Sequence, residues 1–132
     1  MSGAEPAGEL ARVEQAILAR TPEHDLTPSL DRIAAVVDLL GQPQQAYPVV
    51  HLTGTNGKTS TTRMVDAVLR AFGLRTGRFT SPHLHTMRER ICFDGAPVDA
   101  ERFVATYDDV APYLELVDAR SAERGQPRLS YF

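Results

Sequence analysis

The chain has 132 residues, enough for one domain with a real core or for part of a larger one. Its 42% hydrophobic and 23% charged fractions are those of an ordinary globular protein, and a net charge of −3 gives no reason to expect nucleic acid or an anionic membrane as a partner. Cys92 is alone, which excludes an internal disulfide framework. With no secretory leader and no apolar run near the ~20 residues of a membrane span, the expected compartment is the cytoplasm.

Taken in order, Met1 to Gly8 is small and polar and is expected to be disordered. Glu9 to Arg20 reads as a helix with Leu10, Val13, Ala16 and Ile17 on one face. A loop with two prolines, His24 and Asp25 follows. Thr27-Pro28 then has the order of an N-cap with proline at the first helical position. The next helix carries Leu30, Ile33, Ala34, Val37 and Leu40 as an apolar stripe and ends at Gly41. Val49 to Leu52 is a β-branched, apolar run of the kind that makes a buried strand.

Thr53-Gly54-Thr55-Asn56-Gly57-Lys58-Thr59-Ser60 stands between that strand and a helix. Met64, Val65, Val68, Leu69 and Phe72 form the helix's periodic face, and Gly73 is its stop. Arg75 to Thr80 reads as a second strand, so that strand, helix and strand form a βαβ unit with parallel strands. Ligands in such sheets collect beyond the carboxyl ends of the strands. That rule places the turn Thr80-Ser81-Pro82-His83-Leu84-His85 on the same edge as the glycine loop. Glu89 to Phe93 is a third strand and Asp94-Gly95 a turn. Asp99 caps a helix through Phe103, Tyr107 and Val110, which Pro112 should break or kink before Leu114 to Ala119 continues it. Leu129 to Phe132 reads as the beginning of a strand, and an apolar strand cut off there suggests an incomplete domain.

The residue order of the glycine loop is that of phosphate binding. Glycines let backbone N–H groups close around an anion, the first turn of the helix adds unpaired N–H groups and the positive end of its dipole, and Lys58 can reach the terminal phosphates. A hydroxyl of Thr59 or Ser60 can touch phosphate or Mg²⁺. Five residues before Gly57 stands Leu52 instead of the glycine of the common P-loop pattern, and the bland alternative is a turn that only caps a helix.

The order T-G-T-N-G-K-T-S followed by T-S-P-H-L, with Lys58 and Ser81 separated by 23 positions, resembles folylpolyglutamate synthase/dihydrofolate synthase, a branch of the ATP-dependent Mur ligases. In those ligases a short G-T-x-G-K loop is normal, which accounts for Leu52. R-E-R-I-x-x-x-G (Arg88 to Gly95) and L-D-R-I (Leu30 to Ile33) extend the likeness. The resemblance implies an α/β fold: the N-terminal part of a P-loop ATP-binding domain, incomplete, with a mostly parallel sheet flanked by helices as in the Mur-ligase central domain. Residues 9–132 would belong to that domain.

The implied activity is an ATP-dependent ligase joining L-glutamate to a folate or dihydropteroate carboxylate through an acyl phosphate, monomeric at full length. Gly54, Thr55, Asn56, Gly57, Lys58, Thr59 and Ser60 would bind ATP, with Lys58 catalytic, and Ser81 would be the Mg²⁺ ligand. Leu26, Thr27, Pro28 and His83 would lie against the folate or pteroate. The acidic Mg²⁺ ligand of the family follows an L-[ST]-[YF]-F segment, one residue beyond Phe132, so the chain itself is expected to be inactive. Two other readings compete: a Mur ligase acting on a UDP-linked cell-wall precursor, and an inactive nucleotide-binding truncation product.

For the remaining polar residues the plain readings are structural. His51 is expected to be a hydrogen-bonded core histidine, Arg88-Glu89-Arg90 a solvated charged run or ion pair, and Cys92 a small core residue. Arg88 near the folate's glutamate tail is a secondary suggestion. His83 and His85 lack a third ligand at zinc-site spacing.

Overall fold

Glycines and one two-residue turn set most of the element boundaries in the computed structural model, which describes residues 5–20 and 29–131. The chain divides into two compact units, Met1–Pro48 with Val104–Phe132, and Val49–Phe103.

In the first unit α1 spans Glu5–Leu18, beginning four residues earlier than the periodicity suggested. Its inward face is the expected one: Val13 is fully buried and Leu10, Ala16 and Ile17 are half-buried. α2 spans Asp31–Leu39. Thr27 and Pro28 lie outside the described residues. At the helix entry the Ser29 hydroxyl accepts the Asp31 N–H at 3.1 Å. The end is as read: Gly41 adopts φ +78° and its N–H bonds the Asp38 carbonyl.

The α2 stripe is turned from the expected one. Val36 is buried, with Arg32, Ala35, Leu39 and the expected Val37 and Leu40 partly covered beside it, while Leu30, Ile33 and Ala34 face solvent. Several faces of this helix are apolar, so periodicity alone could not choose among them. α4 spans Ala100–Glu123 without interruption through Pro112. Asp99 caps it as expected, its carboxylate accepting the Arg102 N–H at 2.7 Å. Pro112 sits on the exposed face and removes one bond of the ladder without ending the helix.

Beyond α4 no strand forms over residues 124–131. That segment is fastened by the buried Asp118, whose carboxylate accepts the Leu129 N–H at 2.7 Å and the guanidinium of Arg20 at 2.9 Å.

The second unit holds α3 (Lys58–Ala71), β1 (Gly77–Phe79), β2 (Ile91–Phe93) and β3 (Ala96–Pro97). Asp94 and Gly95 both have positive φ, the signature of a type I′ hairpin, and the register Cys92↔Pro97 and Phe93↔Ala96 follows from it. β1 pairs antiparallel with β2 in the order β1-β2-β3. This departs from the expected parallel pairing of residues 75–80 with Val49 to Leu52. The latter run forms no strand, and Val49, Val50 and His51 are exposed. A strand exists only with a ladder; β1 pairs with β2 along one edge, and no ladder joins its other edge to residues 49–52 among the described residues. His51 is therefore not the core histidine expected of it.

One polar centre of this unit is Asp66, a carboxylate only 4% exposed on the inner face of α3. It accepts the Thr76 hydroxyl and the Arg78 guanidinium (3.1 Å), and pairs with Arg70 at 3.4 Å. Arg78 in turn donates to the buried Cys92 sulfur at 3.2 Å. Of the apolar face expected on α3, Val65 and Leu69 turn inward. Met64, Val68 and Phe72 are exposed by 65%, 54% and 81%.

Candidate nucleotide-binding site

The turn that opens α3 is built by two glycines. Gly54 has φ +144° and Gly57, at the N-cap, has φ +74°, conformations in which L side chains are strained. A Cβ on Gly57 would meet nothing, so the glycine is required for its backbone angle and not for space within the chain. Residues 53–58 are all exposed and Thr59 is half-buried.

No side chain caps this helix. The ladder begins with the Thr61 N–H on the Gly57 carbonyl, which leaves the amides of Lys58, Thr59 and Ser60 without a partner in their own helix. The dipole adds positive potential at the same point. Lys58 curls back and donates from Nζ to the Gly54 carbonyl, so its ammonium lies across the loop that those amides head. The arrangement is a set of donors suited to an oxyanion. Thr62, one turn on, spends its hydroxyl on the Lys58 carbonyl at 2.8 Å.

The second predicted stretch follows β1. Ser81 is exposed and precedes Pro82 through a cis peptide bond. His83 is half-buried and its Nδ1 accepts the Arg90 Nε–H at 2.9 Å, which makes Nδ1 the unprotonated nitrogen. Among the described residues no hydrogen bond joins Ser81 or His83 to the glycine loop. Leu26, Thr27 and Pro28 lie outside the described residues. A hydroxyl such as Ser81's is a hard oxygen donor that suits Mg²⁺, but among the described residues no group of three His, Cys, Asp or Glu is placed to hold a metal ion.

The Arg88-Glu89-Arg90 run is not the solvated face expected of it. Its residues form one 3₁₀ turn over Met87–Arg90, entered through a reciprocal cap between Thr86 and Glu89. The Glu89 carboxylate accepts the N–H groups of Leu84 (2.9 Å), His85 (2.9 Å) and Thr86 (3.0 Å). Arg88 donates to the Val98 carbonyl at 2.9 Å. The Thr86-x-x-Glu89 spacing is a sequence signal for this cap that a reading by charge alone passes over.

Those three backbone bonds, to Leu84, Thr86 and His85, lower the Glu89 pKa to about 2. Because the folded value lies below the ordinary 4.5, the contribution is complete above about 4.5 and is lost as the pH falls through 2. Amide exchange protection at Leu84 to Thr86, corrected for the intrinsic pH dependence of exchange, should therefore hold down to mildly acidic pH. It should fall between about 4.5 and 2. Protection lost already near neutral pH would contradict the cap.

An open, glycine-built turn at the head of a helix, with a lysine as first helical residue, is the local arrangement of a P-loop in an α/β chain. No family model matches the chain. It is 49% identical over 126 residues to the dihydrofolate synthase/folylpolyglutamate synthase of Mycobacterium tuberculosis, covering 93% of this chain and 26% of that protein. With the Bacillus subtilis enzyme of the same name identity is 36% over 100 residues, covering 76% of this chain and 23% of the relative.

Among solved structures, M. tuberculosis folylpolyglutamate synthase complexed with ADP and AMPPCP superposes with a TM-score of 0.88 at 46% identity, over 96% of this chain and 27% of that one. An FPGS–AMPPCP–folate complex gives 0.82 at 31% identity, over 93% and 29%. The chain belongs to the folylpolyglutamate synthase/dihydrofolate synthase family, and it spans about a quarter of the length of the curated relatives it matches. Among the described residues no helix is long and apolar enough to cross a membrane.

Proposed function

We propose that this chain supplies the phosphate-binding part of a cytoplasmic, Mg²⁺-dependent and monomeric ligase that uses ATP to join L-glutamate to a folate or dihydropteroate carboxylate. The observation that carries the reading is the open donor set at the head of α3: the amides of Lys58 to Ser60, two glycines with positive φ, and the Lys58 ammonium. Residues 9–132 are then the first part of a Mur-ligase-like ATP domain with a mostly parallel sheet. The exposed Val49, Val50, Met64, Val68 and Phe72 support this, since a run and a helix face of that composition are those of a layer buried in a larger sheet.

In this reading the loop amides and Lys58 hold the β- and γ-phosphates and neutralise the charge that shifts as the γ-phosphoryl passes to the substrate carboxylate. The acyl phosphate so formed is attacked by the glutamate amine, and phosphate leaves. The chain's share of the catalysis is positioning and charge. Ser81, with Thr59 or Ser60, would offer hydroxyl oxygens to Mg²⁺, which would supply further neutralisation of the phosphate charge. Contact of Leu26, Thr27, Pro28 and His83 with the pterin end belongs to the same proposal. His83 would use Nε2, Nδ1 being taken by Arg90.

The test is substrate-dependent ATP hydrolysis and glutamate incorporation by the full-length polypeptide that carries this sequence. Dihydropteroate or a reduced folate is offered against a UDP-linked muramyl peptide. Glutamate addition to the pterin substrate alone is expected; turnover only with the UDP-linked substrate would replace this reading by the cell-wall one. Nucleotide binding without turnover on either would leave the chain a nucleotide-binding product only.

A further inference from the structure

The turn that carries Ser81 is held from one side by a single short element. Glu89 gathers the backbone N–H groups of Leu84, His85 and Thr86 onto its two carboxylate oxygens, at 2.9, 2.9 and 3.0 Å. The next residue, Arg90, reaches the side chain of His83, Nε to Nδ1, at 2.9 Å. Its carbonyl accepts the Thr80 N–H at 2.9 Å, so both ends of the Ser81–His83 turn are tied to the same two residues.

The platform itself is fixed. Met87 is buried beneath it, and Arg88 anchors to the Val98 carbonyl. An exposed five-residue turn holding two histidines, a proline and a leucine that is 85% exposed has little packing of its own to define it. Polar ties are what remain to set the direction of the Ser81 hydroxyl.

We propose that Glu89 and Arg90 are positioning residues for the metal–phosphate edge of the site: the Thr86–Arg90 turn clamps residues 80–86 and thereby fixes Ser81 for Mg²⁺. Neither residue touches the nucleotide. The inference rests on the role given to Ser81 in the proposed function, and it assigns to R-E-R a task in the reaction that charge alone does not suggest. A carboxylate accepting three main-chain amides is also favoured in its ionised form at any working pH, so the clamp is permanent and not a switch.

Two readouts test it. In this chain, Glu89→Gln should raise amide exchange at Leu84, His85 and Thr86 while leaving exchange in α3 unchanged, because an amide cannot accept at both oxygens. In the full-length polypeptide, Glu89→Gln and Arg90→Gln should each raise the Mg²⁺ concentration for half-maximal turnover about ten-fold, the size of effect usual for partners of a metal ligand, with the KM for ATP at saturating Mg²⁺ unchanged. Arg90→Lys, which keeps a donor near His83, should recover part of that loss. Arg90→Gln leaves all three backbone bonds to Glu89 in place, so it carries the metal readout even if Glu89→Gln folds poorly.

An unaltered Mg²⁺ requirement in both variants overturns the proposal, as does an equal rise in the KM for ATP, which would mean general disruption. If the unsubstituted protein bound no nucleotide, the proposed function would fall first and this inference with it. Normal ATP binding with Mg²⁺ dependence insensitive to both residues would remove this inference alone.

Discussion

Lys58→Ala should weaken ATP binding to this chain by about ten- to a hundred-fold, because one charge-assisted hydrogen bond to phosphate is worth roughly 1.5–3 kcal/mol. In the full-length polypeptide the loss of glutamate-ligating turnover should be larger, on the order of a hundred- to a thousand-fold, since the ammonium faces charge that moves during phosphoryl transfer. The fold should be indifferent. Lys58 is exposed, its side chain donates to the Gly54 carbonyl and to no other group among the described residues, and alanine is an excellent helix former at the first position of α3. Calorimetric titration with ATP, alongside a thermal melt of the same samples, separates the two effects. Binding within two-fold of the unsubstituted chain would show that the lysine does not face the nucleotide.

The second large effect concerns stability. Asp66→Ala should destabilise the Val49–Phe103 unit by about 3–5 kcal/mol, because it strands a guanidinium and a hydroxyl that the carboxylate had satisfied. Arg78 is the heavier loss: its side chain is 13% exposed and its Nε already has no hydrogen-bond partner among the described residues. Arg70, being 39% exposed, can turn to water and should contribute little. The cost therefore lies in the orphaned Arg78, and Asp66→Leu combined with Arg78→Met should be much less harmful than Asp66→Ala alone. Urea unfolding at neutral pH measures both. A loss below about 1 kcal/mol for Asp66→Ala would mean that Arg78 finds water or another acceptor.

Asp66 also shows where a sequence reading stops. The stripe Met64, Val65, Val68, Leu69 and Phe72 is a fair helical face, yet the described structure buries Asp66 and leaves three of those five apolar residues exposed. Periodicity identifies a helix reliably because 3.6-residue spacing is local. Which face turns inward depends on what the rest of the fold places against it, as in α2, where the covered stripe centres on Val36 instead of Ile33. The same reason explains Val49 to Leu52. Its composition is a strand's, but a strand is a relation between two segments, and no ladder forms on it among the described residues.

What was legible was what is encoded within a few residues. Gly41 and Gly73 end helices through left-handed caps, Asp94-Gly95 turns a two-residue hairpin, and Asp99 caps α4. The glycine loop falls in this class, since positive φ at Gly54 and Gly57 and the bare amides of α3 follow from the order of residues alone. The Ser81 turn was recognised by its sequence, whereas its support was not. Glu89 looked like one charge in a charged run because its acceptors' partners are backbone groups, which side-chain chemistry does not advertise. Pro112 does not end α4: a helix of 24 residues tolerates the loss of a single exposed bond.

The central claim is a hollow of main-chain donors at the head of α3, and the most direct measurement is the backbone amide spectrum of the isotopically labelled chain during titration with ATP. The largest, saturable shifts are expected at Gly54 to Ser60, and they should disappear in Lys58→Ala. Saturable shifts centred elsewhere, or loop amides that stay in place at millimolar nucleotide, would contradict the account.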